Sequence, residues 1–356
     1  MKSKIQALNE IVKDYRMDEG EGEIHITEDR INTWIQQFYE ADREFILTEL
    51  KFVLDRYYFS KKIILKYLKS LITELVEHYK YSSTKSFLEE TKFLQLQKST
   101  KSQSVLIEQI ASILSDEFDF NIANCGLREI KNVIYLDDVL CTGNTLFREI
   151  VQWTKEFDSD GESNLKKLES GKLKLIIAYI ATHETNFYKK VKQFKLEFGN
   201  KFSNYYDFFN YQNILNGIGS EIQVFYPSKD KQPRIVVEFE QELEIEVDNY
   251  CKEIGIAKKA AEFYRPNNRP SIETLFSSIE SRKRFEDIAL RKGIEIIQAA
   301  ETHKTTVRPL GYSLPSLKNF GFGTPFITWR NIPNNCPLIL WYSGGDFFPL
   351  FVRNHT

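Results

Sequence analysis

Residues 132–146 read NVIYLDDVLCTGNTL. An apolar run ends in two adjacent carboxylates, Asp137 and Asp138, and a short turn, Cys141-Thr142-Gly143-Asn144-Thr145, follows at once. Neighbouring acids repel each other, and an acid at the end of a buried strand gives up hydration. The pair therefore needs a use, and its surroundings decide which.

Working outward, the pattern alternates. KFLQLQ (92–97) alternates as a strand does, the polar KSTKSQS (98–104) follows as a loop, and VLIEQIASIL is a helical stripe. NVIYL (132–136) is the next strand, TLFREIVQWTKEF a helix, KLKLIIAYIATH (172–183) the most apolar strand, and NFYKKVKQFKLEF a helix. SEIQVFYP (220–227) is expected as the next strand, FDFNI (118–122) as a weak extra one, and 158–172 as a polar surface insertion. Strands alternating with helices imply an α/β fold with a parallel sheet flanked by helices.

The flanks differ. Within 27–80, Ile31, Trp34, Ile35 and Phe38 form one helical stripe, Phe45, Ile46, Leu50 and Val53 a second, and SKKIILKYLKSLITELVEHYKY a third, with Thr27 placed to cap. From 234 onward two long helical patterns precede a stretch rich in Gly, Pro, Asn and aromatics. The expected organisation is an N-terminal helical subdomain (1–90), an α/β core (91–230) and a C-terminal helical, loop-rich hood region (231–356).

Composition narrows the class. The 356 residues carry 48 Lys plus Arg against 50 Asp plus Glu, a net charge of −2, so no wholesale nucleic-acid footprint is expected. Four scattered cysteines without a CxxC pair argue against a metal site or a disulfide framework. The N-terminus lacks an apolar signal core and no run of about 18 apolar residues occurs, so we expect a reduced, cytoplasmic protein with no membrane association.

In an open parallel sheet, ligands collect at the carboxyl ends of the strands. There the acids can accept hydrogen bonds from a vicinal diol, while the turn and the following helix N-terminus offer backbone amides to an anion. A ribose 5-phosphate needs both. At this point the sequence resembles a family: VIYLDDVLCTGNTL is similar, nearly position for position, to the phosphoribosyl-pyrophosphate (PRPP) loop of the type I phosphoribosyltransferases. The resemblance implies that Asp137 and Asp138 hold the ribose 2- and 3-hydroxyls and that Cys141, Thr142, Gly143, Asn144 and Thr145 hold the 5-phosphate. It also implies a second loop after the first strand that grips pyrophosphate, with Lys98 and Lys101 as cations, Ser99, Thr100 and Ser102 as further donors, and Gln97–Lys98 as a candidate strained peptide. The implied chemistry is displacement at the ribose C1 with Mg²⁺ as cofactor, held by Asp137 and Asp138 through water.

One position departs from the pattern. Purine-salvage members carry an aspartate, used as a base, where this chain has Cys141; we read Cys141 as a small filler rather than a nucleophile. His183 ends its strand at the same edge, where it either touches an acceptor or lies at the surface as a helix cap. His25, His78, His303 and His355 have no partner pattern, so no metal site is expected of them.

The stretches ITEDRINTWIQQFYEADREFILTELKFV, LFSSIESRKRFEDIALRKGIEII and FGTPFITWRNIPNNCPLILW are similar to the phosphoribosyltransferase-like proteins of bacterial conflict and antiphage operons, including retron-associated effectors. That similarity implies an effector of glycosyltransferase class that makes or breaks an N-glycosidic bond. Its partners would be PRPP or a nucleotide, and proteins or nucleic acid of a defence operon: a reverse transcriptase with its RNA and DNA if the system is a retron. Oligomerisation would be compatible with it. The alternative is a catalytically inactive PRPP- or nucleotide-sensing module; a scaffold whose α/β core is only structural leaves the paired acids without a reason. In the last segment Trp329, Arg330, Asn331, Asn334, Asn335 and Trp341 either stack on a nucleobase or, as NIPNN turn chemistry suggests, form core and turns.

Overall fold

A computed structural model describes residues 1–20, 22–98, 101–158, 161–230, 232–300 and 305–353. In chain order the helices and strands are α1 (Lys2–Val12), α2 (Glu28–Ile35), α3 (Glu40–Tyr57), β1 (Tyr58–Phe59), α4 (Lys61–His78), α5 (Thr84–Glu89), β2 (Thr91–Phe93), α6 (Ser102–Phe118), β3 (Asn132–Leu140), α7 (Asn144–Thr154), α8 (Asn164–Glu169), β4 (Lys174–His183), α9 (Glu184–Phe198), β5 (Tyr206–Ile214), α10 (Arg234–Glu253), α11 (Ile279–Ala299), β6 (Ile327–Thr328) and α12 (Leu338–Trp341). The chain divides into two compact units, one formed by Lys62–Ile214 and the other by Met1–Lys61 with Leu215 onward. Residues 62–90, grouped by sequence with the N-terminal helices, thus cluster with the sheet.

Within 62–214, the described residues form a parallel sheet in the order β2-β3-β4-β5. β3 and β4 are central and buried along almost their whole length, which is why both read as near-continuous apolar runs. The register pairs Leu140 with Thr182 and His183 with Ile214, so the carboxyl ends of β3, β4 and β5 stand level. Trp153 of α7 and Phe194 of α9 bury their rings with Tyr135, Tyr179 and Phe202 in one core. From α4, the Tyr67 hydroxyl donates to the Tyr179 carbonyl at 3.0 Å.

The expected strand at 220–227 is a correction. The fourth strand is β5, an edge strand whose aromatic and polar residues are mostly half-exposed and hide the apolar signal. Residues 220–227 belong to the other unit, where side chains of α11 occupy their backbone: the Arg282 guanidinium donates to the Ile222 and Val224 carbonyls, and Glu286 accepts from the Tyr226 amide. An extended, buried segment thus satisfies its polar groups without a strand neighbour. Nor is 118–122 a strand: α6 runs to Phe118 and ends on Asp119, whose φ is 47°. β2 stops at Phe93, and the polar insertion holds α8, capped by Ser163.

In the second unit the first two helical stripes pack as read except at Phe45, which is half-buried. Ile31, Trp34, Ile35, Phe38, Ile46, Leu50 and Val53 are buried, and Thr27 caps α2 by accepting from the Arg30 amide at 3.1 Å. β1 pairs in parallel with β6, and Trp34 donates to the Ile339 carbonyl at 2.7 Å. Trp329 and Trp341 are 2% and 3% exposed, and the Asn335 carboxamide donates to the Tyr312 carbonyl, so this segment is core and turns within its own unit. The same unit holds a buried ion network: Glu286 accepts from Arg265 (3.0 Å) and Arg282 (2.9 Å), and Arg282 also pairs with Glu273. All four cysteines are free, and among the described residues no helix is long and apolar enough to cross a membrane.

Candidate functional site

The paired acids sit inside β3 rather than at its end, because the strand continues to Leu140. Asp137 is 7% exposed and Asp138 6%. Oδ1 of Asp137 accepts from the Ser102 hydroxyl at 2.7 Å and from the Asp138 amide at 2.9 Å; Oδ2 accepts from the Gln97 carboxamide at 2.9 Å. Oδ1 of Asp138 accepts from the Val139 amide at 2.7 Å. Burial outweighs these donors and holds the Asp137 carboxyl above the usual carboxylate range. Beneath it, Tyr135 donates to Glu149 at 2.8 Å and accepts from Gln97 at 3.1 Å. Glu149 is raised as well, first by burial and then by the charge of Asp137.

The loop after β2 is folded over the acids by one side chain. Leu94 still bonds to β3 through the Ile134 carbonyl at 2.8 Å. Beyond it the chain leaves the ladder, and the buried Gln103 of α6 supplies the missing partner. Its Oε1 accepts from the Leu96 and Gln97 amides (2.7 and 3.0 Å), and its Nε2 donates to the Leu136 carbonyl (3.3 Å). This aims Gln97 at Asp137. Lys98 and Lys101 are exposed on the same loop, with the Lys101 amide donating to the Lys98 carbonyl at 3.0 Å; Ser99 and Thr100 lie outside the described residues. The strained peptide expected at Gln97–Lys98 is not found. Among the described residues the cis bond is Arg269–Pro270, and neither Gln97 nor Lys98 has a positive φ.

The second loop is a three-residue turn, 141–143. Gly143 is the N-cap of α7 with φ 70°, a left-handed conformation that glycine adopts without penalty. It offers no capping side chain, and helix geometry leaves the first-turn amides without intrahelical acceptors. Thr142 is half-buried and its hydroxyl accepts from the Asn144 amide at 3.2 Å; Asn144 and Thr145 are exposed. Cys141 is 6% exposed, as suits a filler.

The turn is braced from α9. Asn186 donates to the Cys141 carbonyl at 2.6 Å, and one helical turn later the Lys190 stem lies across Gly143, where an added Cβ would meet Lys190 Cγ at 2.5 Å. His183, the residue before α9, makes no side-chain cap and is fully buried, with neither ring nitrogen hydrogen-bonded. Burial pushes its pKa down to about 3. The expected choice between an acceptor contact and a surface cap is therefore replaced by a neutral, enclosed ring.

Two loops and an acid pair at the carboxyl edge of a parallel sheet are the layout that the sequence resemblance implied. A family model for PRTase-CE matches residues 31–353. The chain belongs to the PRTase-CE family. As a PRTase-CE protein it has a phosphoribosyltransferase-like α/β fold, with a parallel sheet flanked by helices. No curated protein and no solved structure matches it.

The structure brings Asp137, Asp138 and residues 141–145 together on one strand, turn and helix, and links Asp137 to the Lys98–Lys101 loop through Gln97 and Ser102. Gln103, Tyr135, Glu149, Asn186 and Lys190 were not singled out by sequence. Only the polar residues at positions 97 and 103, flanking an otherwise basic loop, hinted at the first of them. Among the described residues no three His, Cys, Asp or Glu side chains are grouped to hold a metal ion. The adjacent carboxylates of Asp137 and Asp138 are two oxygen donors, the chemistry that suits a cation keeping most of its own waters, as magnesium does.

Proposed function

We propose that this PRTase-CE chain binds a 5-phosphorylated ribose, as PRPP or a ribose-phosphate nucleotide, and makes or breaks an N-glycosidic bond at its C1. The observation that carries the reading is the short span between a buried acid pair on β3 and the first turn of α7, whose N-cap Gly143 brings no capping side chain. Asp137 and Asp138 would receive the two ribose hydroxyls. Residues Cys141, Thr142, Gly143, Asn144 and Thr145 would cradle the 5-phosphate, and Lys98, Ser99 and Lys101 would face the pyrophosphate. In the PRPP direction the C1–O bond to pyrophosphate breaks and a C1–N bond forms. The charge that develops on the leaving group needs cations nearby. Mg²⁺, held by Asp137 and Asp138 through water, would neutralise part of that charge when bound. Bound cation and diol hydroxyls both favour the ionised form of Asp137, which burial alone disfavours.

Calorimetric titration of PRPP with Mg²⁺, followed by product analysis with nucleobases and nucleotides, tests this directly. Binding to wild type and its loss in Asp137→Asn with Asp138→Asn is the expected result; a wild type that binds neither PRPP nor a nucleotide refutes it. A second reading, a PRPP or nucleotide sensor without turnover, is favoured by the buried thiol of Cys141 where purine-salvage enzymes place a base. Binding without product would select it. We further propose that the ligand chemistry serves bacterial antiphage defence, on the similarity of the flanking segments to conflict-system proteins. The neighbouring genes test that, a reverse transcriptase among them marking a retron.

A further inference from the structure

The α9 side of the turn carries a charge whose contacts are all neutral. Lys190 is 6% exposed, and its ammonium donates to the carboxamide oxygens of Asn144 and, at 2.7 Å, of Gln193. It also stands 5.9 Å from the centre of the Phe147 ring. Among the described residues no carboxylate pairs with it.

The location is adverse for a cation. Asn144 is the first residue of α7, so the ammonium lies at the positive end of a helix dipole. Burial, and then the charge of Lys189, lower its pKa. A neutral side chain of similar length would cover Gly143 equally well and avoid all three costs. The charge gains a purpose when an anion occupies the turn, because desolvated ammonium-to-phosphate hydrogen bonds are among the stronger ones. The lysine stem is flexible enough to carry the ammonium away from Asn144 while α9 stays in place.

We propose that Lys190 is a binding residue for the terminal phosphomonoester of the ligand and selects phosphorylated ribose over the neutral sugar. This rests on the reading of the turn as the phosphate cradle and adds a residue from a third element to it. Asn186, bonded to the Cys141 carbonyl, ties the turn to α9, the helix that carries the ammonium.

The test uses the full chain as wild type, Lys190→Met, Lys190→Gln and Lys190→Arg. Ribose 5-phosphate and ribose are titrated by calorimetry and by ligand-observed NMR, and ligand-free melting temperatures are recorded. Lys190→Met and Lys190→Gln are expected to weaken ribose 5-phosphate by about 10- to 100-fold, the usual effect of losing a charged hydrogen bond. Ribose should be unaffected, and Lys190→Arg should stay within a few-fold of wild type. The ligand-free melting temperature of Lys190→Met should equal or exceed that of wild type. Lys190→Gln keeps a neutral hydrogen-bond donor, one bond shorter, on the side of Asn144 and Gln193, so it remains informative should the methionine variant fold poorly. Ribose 5-phosphate binding within twofold of wild type in either neutral variant overturns the role of Lys190 and leaves the cradle standing. An equal loss for both sugars with a lowered melting temperature makes the lysine purely structural. If wild type itself ignores ribose 5-phosphate and PRPP, the cradle fails first and Lys190 with it.

Discussion

Gln103 accepts from the backbone amides of both Leu96 and Gln97, at 2.7 and 3.0 Å, and so replaces a strand edge where β2 has ended. A side chain on α6 thereby sets the position of the loop that touches Asp137.

Replacing it tests that dependence. Gln103→Leu keeps the volume but strands two amides, and an unsatisfied buried donor costs about 1–3 kcal/mol. Hydrogen exchange at Leu96 and Gln97 should accelerate, and ribose 5-phosphate affinity should fall as Gln97 loses its aim. Unchanged protection at both amides would show that the loop is held by something else.

Gly143 and Lys190 are coupled by contact. Gly143→Ala must place a Cβ at φ 70° and push against Lys190 Cγ. The left-handed backbone alone costs about 1–2 kcal/mol, and the displaced stem adds to it. In a Lys190→Ala background only the backbone part should remain. In a double-mutant cycle read by urea unfolding, the double variant should be less destabilised than the sum of the singles by about 0.5–1.5 kcal/mol; strict additivity contradicts the contact.

Glu286 anchors the other unit. Glu286→Leu leaves the Arg265 and Arg282 guanidiniums buried without their shared carboxylate, and breaking such a network by removing one partner costs about 3–5 kcal/mol. Trp34, Trp329 and Trp341 lie in that unit and Trp153 in the other. Tryptophan fluorescence during urea unfolding should therefore show an early transition carrying most of the signal change. A midpoint matching wild type would contradict the network's importance.

His183 gives stability a pH dependence of known sign. Its folded pKa, about 3, lies below the ordinary histidine value, so the unfolded chain takes up a proton that the folded chain refuses. The contribution is fully present above about pH 6.5 and is lost as pH falls toward 3. At pH 5 the loss is about 2 kcal/mol, at 1.36 kcal/mol per pH unit. Asp137, with its raised pKa, acts in the opposite direction in both proteins compared. His183→Leu should therefore lose about 2 kcal/mol less than wild type between pH 7 and pH 5 in denaturant titrations. Parallel losses would mean that the ring is hydrated and titrates normally.

The parts of the molecule legible in sequence are those where one local signal dominates. β3 and β4 are buried on both faces and read as apolar runs; the Asp137–Asp138 pair and the Gly143 turn stood out because 133–146 resembles a known family loop. β5 was hidden because an edge strand carries Asp207, Asn210, Gln212 and Asn213 among its aromatics, while 220–227 imitates a strand with its carbonyls bound by Arg282. The bracing residues Gln103, Asn186 and Lys190 were hidden for another reason. Each acts across a tertiary contact on a helix that looks ordinary, so no local pattern marks it.

The division of the chain into one unbroken span, 62–214, and one stitched from both flanks has a consequence for synthesis. Trp34 finds its hydrogen-bond acceptor 305 residues downstream. At about 5–20 residues per second, roughly 15–60 s pass on the ribosome between them. The sheet and its acid pair emerge complete during that interval, while the greasy stripe of α2 awaits α12. A nascent chain halted midway would carry the sheet and its acid pair already formed while the N-terminal helices still needed a chaperone.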